Sequence, residues 1–418
     1  MPFTGKYGYI DETGKEVIVC KYNAAYEFRD NGLAEVGIIT GRDEEGEAIW
    51  KYGFINKEGK EVVPITYESV AEGFGKDDLV AIAKKYGTRP YEWGFADETG
   101  EEVIPCQFLD SMGYQNFIWS EDHLLSIPFW KFGPEEAEIY GVINEDGEEI
   151  IPFDYVEINL SRSGKDLISA SKYMESEDGE PFVKAGFINK NNVEVIPFAY
   201  DATKSFEEEG LAPVARIIDY NGDEEIYQWG YVNEEGTMVI PYQFSDAEPF
   251  YACGLAAVQN EDDKWGYINN TGNLVIPYEY DSAESFDEDG IAVVSKYVDE
   301  NYLDGLINTE GTEILPCEYN SIVTYTHLDE KNETISIAKK NGQDDYIYGF
   351  ANKKGEIIVD IQFDMIQSGY GENQWAVVGT TTGQLDKYDK TYKCKYINLN
   401  GDEMLELPDK YIFAGNFS

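Results

Sequence analysis

Cysteine is the first residue type in this chain that could do chemistry, because a thiolate can attack a substrate or bind a metal ion. The five cysteines show no C-x-x-C spacing. Cys20, Cys106 and Cys317 occupy the same place in a repeated pattern, where other copies carry Ile, Phe or Tyr. Cysteine behaves there as a small hydrophobic residue. The pattern therefore predicts a core role for these thiols.

Histidine is the next candidate, and only two are present, His123 and His327. They lie in non-equivalent copies of the pattern, and no G-x-S-x-G segment accompanies them. A Ser-His-Asp or Cys-His arrangement needs a histidine beside a nucleophile. The chain also lacks a glycine-rich phosphate loop. We therefore expect no catalytic residue, no cofactor-binding residue and no metal ligand, which argues against an enzyme.

Carboxylates are abundant, with 81 acidic against 32 basic residues and a net charge of −49. A glycosidase-type pair cannot be singled out among so many, and no acidic run has the spacing of a calcium loop. The simplest interpretation is a solvated edge that resists aggregation, and the sharper one is a surface for basic partners. Acidic runs recur before a Gly-Leu-Ala segment and before a Trp-Gly segment: Glu207–Glu209, Asp287–Asp289, Asp43–Glu45, Asp223–Glu225 and Glu261–Asp263.

The charge and hydropathy exclude several classes of protein. Without a basic patch, direct binding of a nucleic-acid backbone is not expected. No run approaches 18 apolar residues, so no membrane span is predicted. No signal peptide is visible at Met1, which makes the cytoplasm the default expectation. The oligomeric state stays open.

A repeated block tiles the whole chain. We number each copy from one glycine, the zero position, and the copies are spaced by 36 (Gly230 to Gly266) to 47 (Gly94 to Gly141) residues. The prediction is one array over residues 1–418 with ten repeats of about 43 residues, beginning near 6, 51, 92, 139, 184, 228, 264, 303, 347 and 393. The zero positions are Gly8, Gly53, Gly94, Gly141, Gly186, Gly230, Gly266, Gly305, Gly349 and the degenerate Lys395.

Each copy carries a turn signal and two strand signals. Asn or Asp stands at position +3 in all ten copies, and Gly stands at +6 in all but one, which has Asn192. This spacing predicts a β-hairpin turn in which a side-chain oxygen caps the turn and Gly supplies a positive φ. An aromatic-Gly strand precedes the turn, and an apolar strand that ends in Pro follows it in seven copies, as in Trp229–Val232 and Val103–Pro105. A Gly-Leu-Ala-x-Val strand comes later, so the fold class is all-β.

The blocks Lys-Trp-Gly-Tyr-Ile-Asn (264–269), Gly-x-x-Val-Ile-Pro (272–277) and Gly-Leu-Ala-x-Val resemble the WG (or KWG) repeats of bacterial proteins over essentially all of the chain. The departures are Ala185, Asp304 and Cys394, which replace the aromatic residue at position −1. The resemblance implies a binding or scaffolding repeat protein and implies no reaction.

Two arrangements of such repeats are compatible with the pattern. Ten blades would exceed the usual four to eight of a closed β-propeller, and the chain begins and ends in the middle of a unit. We therefore favour an open, curved β-repeat stack. The alternative is a closed propeller in which Tyr411-Ile412-Phe413 would complete the first blade.

Three functions follow from these features. The first is a non-enzymatic scaffold that binds a protein partner, with a basic partner favoured, through an extended acidic surface. The second is a carboxylate-based glycan hydrolase or glycan-binding protein in a propeller, which would show one carboxylate pair with diverging pKa values. The third is a nucleic-acid mimic. The recurring aromatic residues are expected in the core, since every unit repeats them.

Overall fold

The computed structural model describes residues 5–29, 31–43, 45–70, 79–85, 91–110, 123–131, 137–161, 164–176, 178–179, 181–222, 224–251, 253–324, 334–342, 345–367, 375–384 and 390–406. In this part of the chain all regular structure is β, and no helix occurs. The strands form one two-stranded sheet, the N-terminal hairpin, and nine sheets of three or four antiparallel strands, which we call blades one to nine. The all-β class predicted from the sequence is confirmed.

The first half of the chain holds the N-terminal hairpin and blades one to four. The hairpin consists of β1 (Tyr7–Ile10) and β2 (Glu16–Tyr22). Blade one has β3 (Ala24–Phe28), β4 (Leu33–Arg42), β5 (Ala48–Asn56) and β6 (Glu61–Tyr67); blade two has β7 (Ser69–Val70), β8 (Leu79–Lys85), β9 (Tyr91–Asp97) and β10 (Glu102–Asp110). Blade three has β11 (Leu124–Lys131), β12 (Ala137–Asn144) and β13 (Glu149–Tyr155); blade four has β14 (Glu157–Asn159), β15 (Leu167–Glu175), β16 (Pro181–Asn189) and β17 (Glu194–Tyr200).

The second half of the chain holds blades five to nine. Blade five has β18 (Ala202–Thr203), β19 (Leu211–Asn221), β20 (Glu224–Asn233) and β21 (Met238–Phe244); blade six has β22 (Asp246–Ala247), β23 (Leu255–Gln259), β24 (Trp265–Asn269) and β25 (Leu274–Tyr280). Blade seven has β26 (Ser282–Ala283), β27 (Ile291–Val298), β28 (Asn301–Asn308) and β29 (Glu313–Tyr319). Blade eight has β30 (Ser321–Val323), β31 (Thr334–Lys340), β32 (Tyr346–Asn352) and β33 (Ile357–Phe363); blade nine has β34 (Met365–Gln367), β35 (Trp375–Gln384), β36 (Lys390–Asn398) and β37 (Glu403–Glu406).

Every four-stranded blade follows one plan. A short first strand pairs with the Gly-Leu-Ala strand, this second strand pairs with the aromatic-Gly strand, and the third pairs with the strand that usually carries Pro. The turn between the third and fourth strands is the one predicted from position +3. In blade five, Asn233 Oδ1 accepts a hydrogen bond of 2.8 Å from the Thr237 N–H, and Gly236 has a φ of 74°. Asn192, the substitute for Gly in blade four, has a φ of 58°.

The blades are arranged in a ring, and one repeated contact joins neighbours. Where the turn residue is glycine, it lies against the fourth strand of the preceding blade, or of the N-terminal hairpin for blade one. A Cβ at Gly236 would lie 3.2 Å from Ile196 Cγ2, and a Cβ at Gly272 would lie 3.2 Å from Ile240 Cγ2. The same contact joins the two ends of the chain, because Gly14 of the N-terminal hairpin lies against Leu405 in β37. Ile10 also packs against the core of blade nine.

The ring is therefore the propeller alternative rather than the open stack that we favoured from the sequence. The contact that joins the ends is of the same kind as the internal ones, because the tenth zero position, Lys395, places Leu405 at the +10 position that Ile196 has in its own repeat. Tyr411-Ile412-Phe413, which were expected to complete the first blade, lie outside the described residues.

The zero glycine has a packing role that its repetition alone did not reveal. In blade five, Trp229 pairs with Phe244 and Tyr231 pairs with Ile240, so one residue on the third strand faces three on the fourth. The bulged fourth strand passes over Gly230. A Cβ there would lie 2.6 Å from the Ile240 carbonyl oxygen, a distance that no real side chain tolerates. Only glycine admits this close approach of two backbones.

Two copies show that the bulge does not depend on proline. The N-terminal hairpin and blade eight have Val19 and Asp360 at the proline position, yet both keep the bulge over Gly8 and Gly349. In blade nine Lys395 replaces the glycine, and there Lys395 pairs with Glu406 and Tyr396 with Leu405, in direct succession. In the other nine copies the zero glycine has no ladder partner on the fourth strand.

The bulge also decides which side chains reach the core. Positions +10 and +14 point inward, as Ile240 (1% exposed) and Phe244 (4%) do in blade five. Position +12 lies within the bulge. The prediction that Cys20, Cys106 and Cys317 fill a core position was wrong in degree: Cys20 is exposed and the other two are half-buried. The aromatic positions are largely core, as expected, with Trp93 and Trp229 buried.

Replacement of the zero glycine tests this packing. We expect Gly230→Ala to lower the free energy of unfolding by about 2–4 kcal/mol, because its Cβ would collide with the fourth-strand backbone. Gly41→Ala is the matched control, since Gly41 lies in a strand with ordinary φ and the nearest atom to its Cβ would be 3.7 Å away. Urea unfolding followed by circular dichroism measures both. Equal effects of the two substitutions would contradict the assignment.

Candidate functional site

The antiparallel plan separates the loops of the ring into two faces. The turns between strands one and two and between strands three and four lie at one end of each blade, which we call the turn face. The connections between strands two and three lie at the opposite end, the hairpin face. The two sets of acidic runs found in the sequence therefore lie on opposite faces of the ring.

On the turn face, several acidic residues have structural partners. Glu207 is 1% exposed and accepts hydrogen bonds from the Ser161 and Ser205 hydroxyls, at 3.2 and 2.8 Å. This residue was expected to be solvated, but it joins blade five to blade four. Asp287 caps its own turn by accepting the Asp289 and Ile291 N–H groups.

Contacts between blades use more of the same acids. Lys353, on the turn of blade eight, forms ion pairs with Asp287 at 3.7 Å and with Asp289, both in the turn between the first two strands of blade seven. The Asn270 amide of blade six donates to Glu209 of blade five at 3.1 Å. The turn-face acids are thus partly occupied in holding the ring together.

The hairpin face has acids of a different kind, at the tips of hairpins and open to solvent. The tip of blade six, Glu261–Asp263, is exposed throughout, and the tip of blade seven carries exposed Asp299 and Glu300. The other exposed acids described at these tips are Asp43, Glu45, Glu47, Glu175, Asp178, Asp219, Glu224, Glu225 and Asp345. Glu44 and Asp223 of the predicted runs lie outside the described residues.

The hairpins of this face differ in length, which shapes the surface. In blade six the ladder between strands two and three ends at the pair Gln259–Trp265. From the equivalent pair, Ala215–Trp229, blade five continues for five more pairs, up to Asn221–Glu224. Blade seven continues for three more, up to Val298–Asn301. Between the equivalent pairs the chain has 13 residues in blade five (216–228), eight in blade seven (296–303) and five in blade six (260–264). At about 3.3 Å per residue the neighbours therefore rise roughly 13 and 5 Å above blade six, which leaves a notch between them.

The long hairpins expose apolar and aromatic side chains. Tyr173, Tyr220, Tyr297 and Tyr302 are each 54–59% exposed. Tyr297 and Tyr302 contact each other on blade seven, with ring centroids 4.9 Å apart. Exposed tyrosines beside carboxylates are unusual for a merely solvated edge, because large aromatic residues are enriched at protein interfaces.

The base of each hairpin is fixed by the residue at position +15. Asp281, between blades six and seven, accepts the Tyr297 N–H at 2.8 Å and an N–H of Lys264 at 2.5 Å. Burial alone would raise its pKa, but these hydrogen bonds hold the pKa of the Asp281 carboxyl below its usual value. Asp201 and Asp364 accept the equivalent backbone N–H groups in blades five and nine.

Many of the basic residues lie between blades, where they offset little of the surface charge. Lys204 forms ion pairs with Asp246 and Glu248 at 3.0 and 2.9 Å and lies over the Trp229 ring. Lys296 lies 5.0 Å from the centre of the Tyr280 ring of the preceding blade. These two lysines therefore stabilise blade-to-blade packing, and neither lies at the acidic tips of blades six and seven.

The remaining candidates for chemistry are dispersed. Burial raises the pKa of the Cys106 thiol to about 12 and that of Cys317 to about 11, so neither is a ready thiolate. His123 is exposed and lies 3.4 Å from Glu145 at the edge of blade three. His327 lies outside the described residues.

Carboxylates give one feature that bears on the hydrolase hypothesis. Partial burial, with the Asp304 carboxylate nearby, raises the pKa of Glu284 in blade seven. Asp304 accepts hydrogen bonds from the Ser295 hydroxyl and the Ile322 N–H, at 2.8 and 3.2 Å. It occupies the aromatic position, so the smaller side chain brings an acid between two blades.

Two further properties bear on the class of protein. Across the described ranges, no group of three or more His, Cys, Asp or Glu side chains is placed to hold a metal ion. No helix in the same ranges is long and apolar enough to cross a membrane.

The ring of repeated blades defines the class: an all-β repeat protein with a propeller-like fold. The family model for the WG containing repeat matches nine segments, and the chain belongs to this family. The matched residues are 7–38, 52–88, 93–110, 140–165, 186–215, 229–265, 265–297, 305–342 and 348–378. The family expected from the sequence is confirmed.

Comparison with other proteins adds the fold and no more. No curated protein matches the chain. The crystal structure of the eukaryotic initiation factor is similar, with a TM-score of 0.53 and 11% identity over 90% of this chain and 96% of that one. Prolyl oligopeptidase B from Galerina marginata has a TM-score of 0.41 and 10% identity over 79% of this chain and 55% of that one. At such identities the likeness concerns architecture alone.

The Asp281 anchor gives a pH-dependent prediction. At pH 7 we expect Asp281→Asn to unfold more easily by about 1–2 kcal/mol, since two hydrogen bonds to a charged acceptor are weakened. A carboxyl whose folded pKa is lowered stabilises the fold above its unfolded pKa, and this contribution is lost as the pH falls through the folded pKa. The difference from wild type should therefore shrink below about pH 4.

Urea unfolding at pH 7 and at pH 3.5 measures that difference. Asp299→Asn, at the exposed tip of the same hairpin, is the control and should leave stability unchanged. A deficit of Asp281→Asn that is the same at both pH values would contradict the anchor.

Proposed function

We propose that this protein is a non-enzymatic scaffold that binds a protein partner with a basic surface through its hairpin face. The observation that carries the proposal is the combination of exposed acids and exposed tyrosines on that face. Acids alone would serve solubility, but a large aromatic side chain in water has an energetic cost that contact with a partner removes.

The distribution of charge within the ring supports the choice of face. Glu207, Asp287 and Asp289 of the turn face already have partners, and Lys190 and Lys353 lie among them. On the hairpin face, the tips of blades six and seven have five acids at Glu261–Asp263, Asp299 and Glu300. A clustered negative field of this kind steers a basic partner toward the surface and accelerates association.

Two charge-matched variants test the proposal. One carries Glu224→Gln, Glu225→Gln, Glu261→Gln, Asp262→Asn and Glu300→Gln on the hairpin face. The other carries five substitutions by Gln on the turn face, at Glu12, Glu58, Glu235, Glu288 and Glu310, all exposed. Both are used as bait, beside the wild type, in a lysate of the source organism with washes at low and high salt.

We expect one stoichiometric basic partner with the wild type and with the turn-face variant, released by salt. The hairpin-face variant should retain about one tenth of that partner or less. A loss of about 1.4 kcal/mol in binding free energy lowers the affinity tenfold. A partner that both variants retain equally, or a partner lost only with the turn-face variant, would contradict the proposed face. Absence of any protein partner would sink the scaffold function itself.

A further inference from the structure

The notch above blade six is the most distinctive surface of the hairpin face. Blades five and seven both pack on blade six, the former through Trp229 and Tyr231 and the latter through Val294 and Ile307. Sheets that pack face to face lie about 10 Å apart, so the hairpins on either side are about 20 Å apart. After side chains are allowed for, one extended polypeptide segment fits between them.

One wall of the notch belongs to blade five and combines an aromatic ring with a carboxylate. Tyr227 packs toward blade six and donates a hydrogen bond to Glu225. Side chains two residues apart on a strand share a face, so Glu225 points to the same side. Tyr220 pairs with Glu225 across the hairpin and therefore also faces the notch, where it is 59% exposed.

The opposite wall belongs to blade seven and is more apolar. Lys296 reaches toward blade six, where its Nζ lies 3.8 Å from Glu279 and over the Tyr280 ring. By the same alternation Val298 and Leu303 face the notch, and Val298 is 45% exposed. The floor is the short turn of blade six, Glu261–Asp263, which is exposed and purely acidic.

We infer that this notch binds an extended, arginine-rich segment of the partner. The inference rests on the proposed function and assigns recognition of the partner to this part of the hairpin face. A guanidinium pairs with carboxylates by two parallel hydrogen bonds and stacks on a tyrosine ring. Its aliphatic stem covers apolar surface such as Val298 and Leu303. The acidic floor, the Tyr220–Glu225 wall and the apolar wall match these three properties in turn.

Lysine would satisfy only part of this chemistry. An ammonium ion is a compact, strongly hydrated charge that cannot form the two-pronged contact with a carboxylate. The notch should therefore prefer arginine to lysine at equal charge, whereas an acidic surface that acts through net charge alone should hardly distinguish them.

Fluorescence anisotropy with labelled nona-arginine and nona-lysine peptides tests the inference on the full chain. We expect nona-arginine to bind at least about fivefold more tightly than nona-lysine at the same ionic strength. Tyr220→Ala should weaken nona-arginine binding by about fivefold, and Tyr220→Phe should restore it, because stacking needs the ring and not the hydroxyl. Tyr173→Ala is the control, since Tyr173 is equally exposed (57%) but lies on blade four, away from the notch.

The outcomes separate this inference from the proposed function. Equal binding of the two peptides, or equal losses in Tyr220→Ala and Tyr173→Ala, would overturn the notch. If partner capture still depended on the hairpin-face acids in that case, the scaffold function would stand without it. If neither peptide binding nor partner capture responded to the hairpin-face acids, both would fall.

Discussion

The close approach of the fourth strand to the zero glycine is the constraint on which the rest of the structure depends. Because the strand bulges over Gly230 and its equivalents, positions +10 and +14 both turn inward and form the blade core. The turn glycine of the next blade then packs against the +10 side chain. Two glycines with different physical roles, one for close approach and one for positive φ, thus define both the blade and its contact with its neighbour.

Repetition of that one contact also closes the ring and divides its surface. Ile10 and Gly14 meet Leu405 and the blade nine core in the manner of any internal pair of blades. Cations such as Lys204 and Lys296 are used between blades, paired with carboxylates and aromatic rings. The chain has 81 acids and only 32 bases, and hairpin length decides how far the acids at the tips of the hairpin face project.

The features that could be predicted from the sequence are the local ones within each repeat, namely the turn and the strands beside it. Asn233 and Gly236 identify the turn by residue type and spacing, and the aromatic-Gly strand follows from its neighbours. The burial of position +12 was overestimated because a bulge cannot be seen in a run of apolar letters, so Cys20 was assigned to a core that it does not reach. Ring closure was only the second of the two arrangements predicted from the sequence, because it depends on the small rotation between neighbouring repeats, which no single repeat encodes. The spacings do carry a signal for the notch, because Gly230 and Gly266 are only 36 residues apart, whereas Gly186 and Gly230 are 44 apart and Gly266 and Gly305 are 39 apart.

Closure of the ring is the central claim, and hydrogen exchange in a Leu405→Ala variant tests it most directly. Leu405 is the +10 residue of the last repeat, and it contacts Gly14, the turn glycine of the first repeat. We expect faster exchange in β1 and in the turn at Asp11–Gly14, whereas Met404→Ala, a neighbour that is 43% exposed, should leave those amides unchanged. Unaltered exchange at the N-terminal hairpin in Leu405→Ala would mean that the two ends do not meet and that the repeats form an open stack.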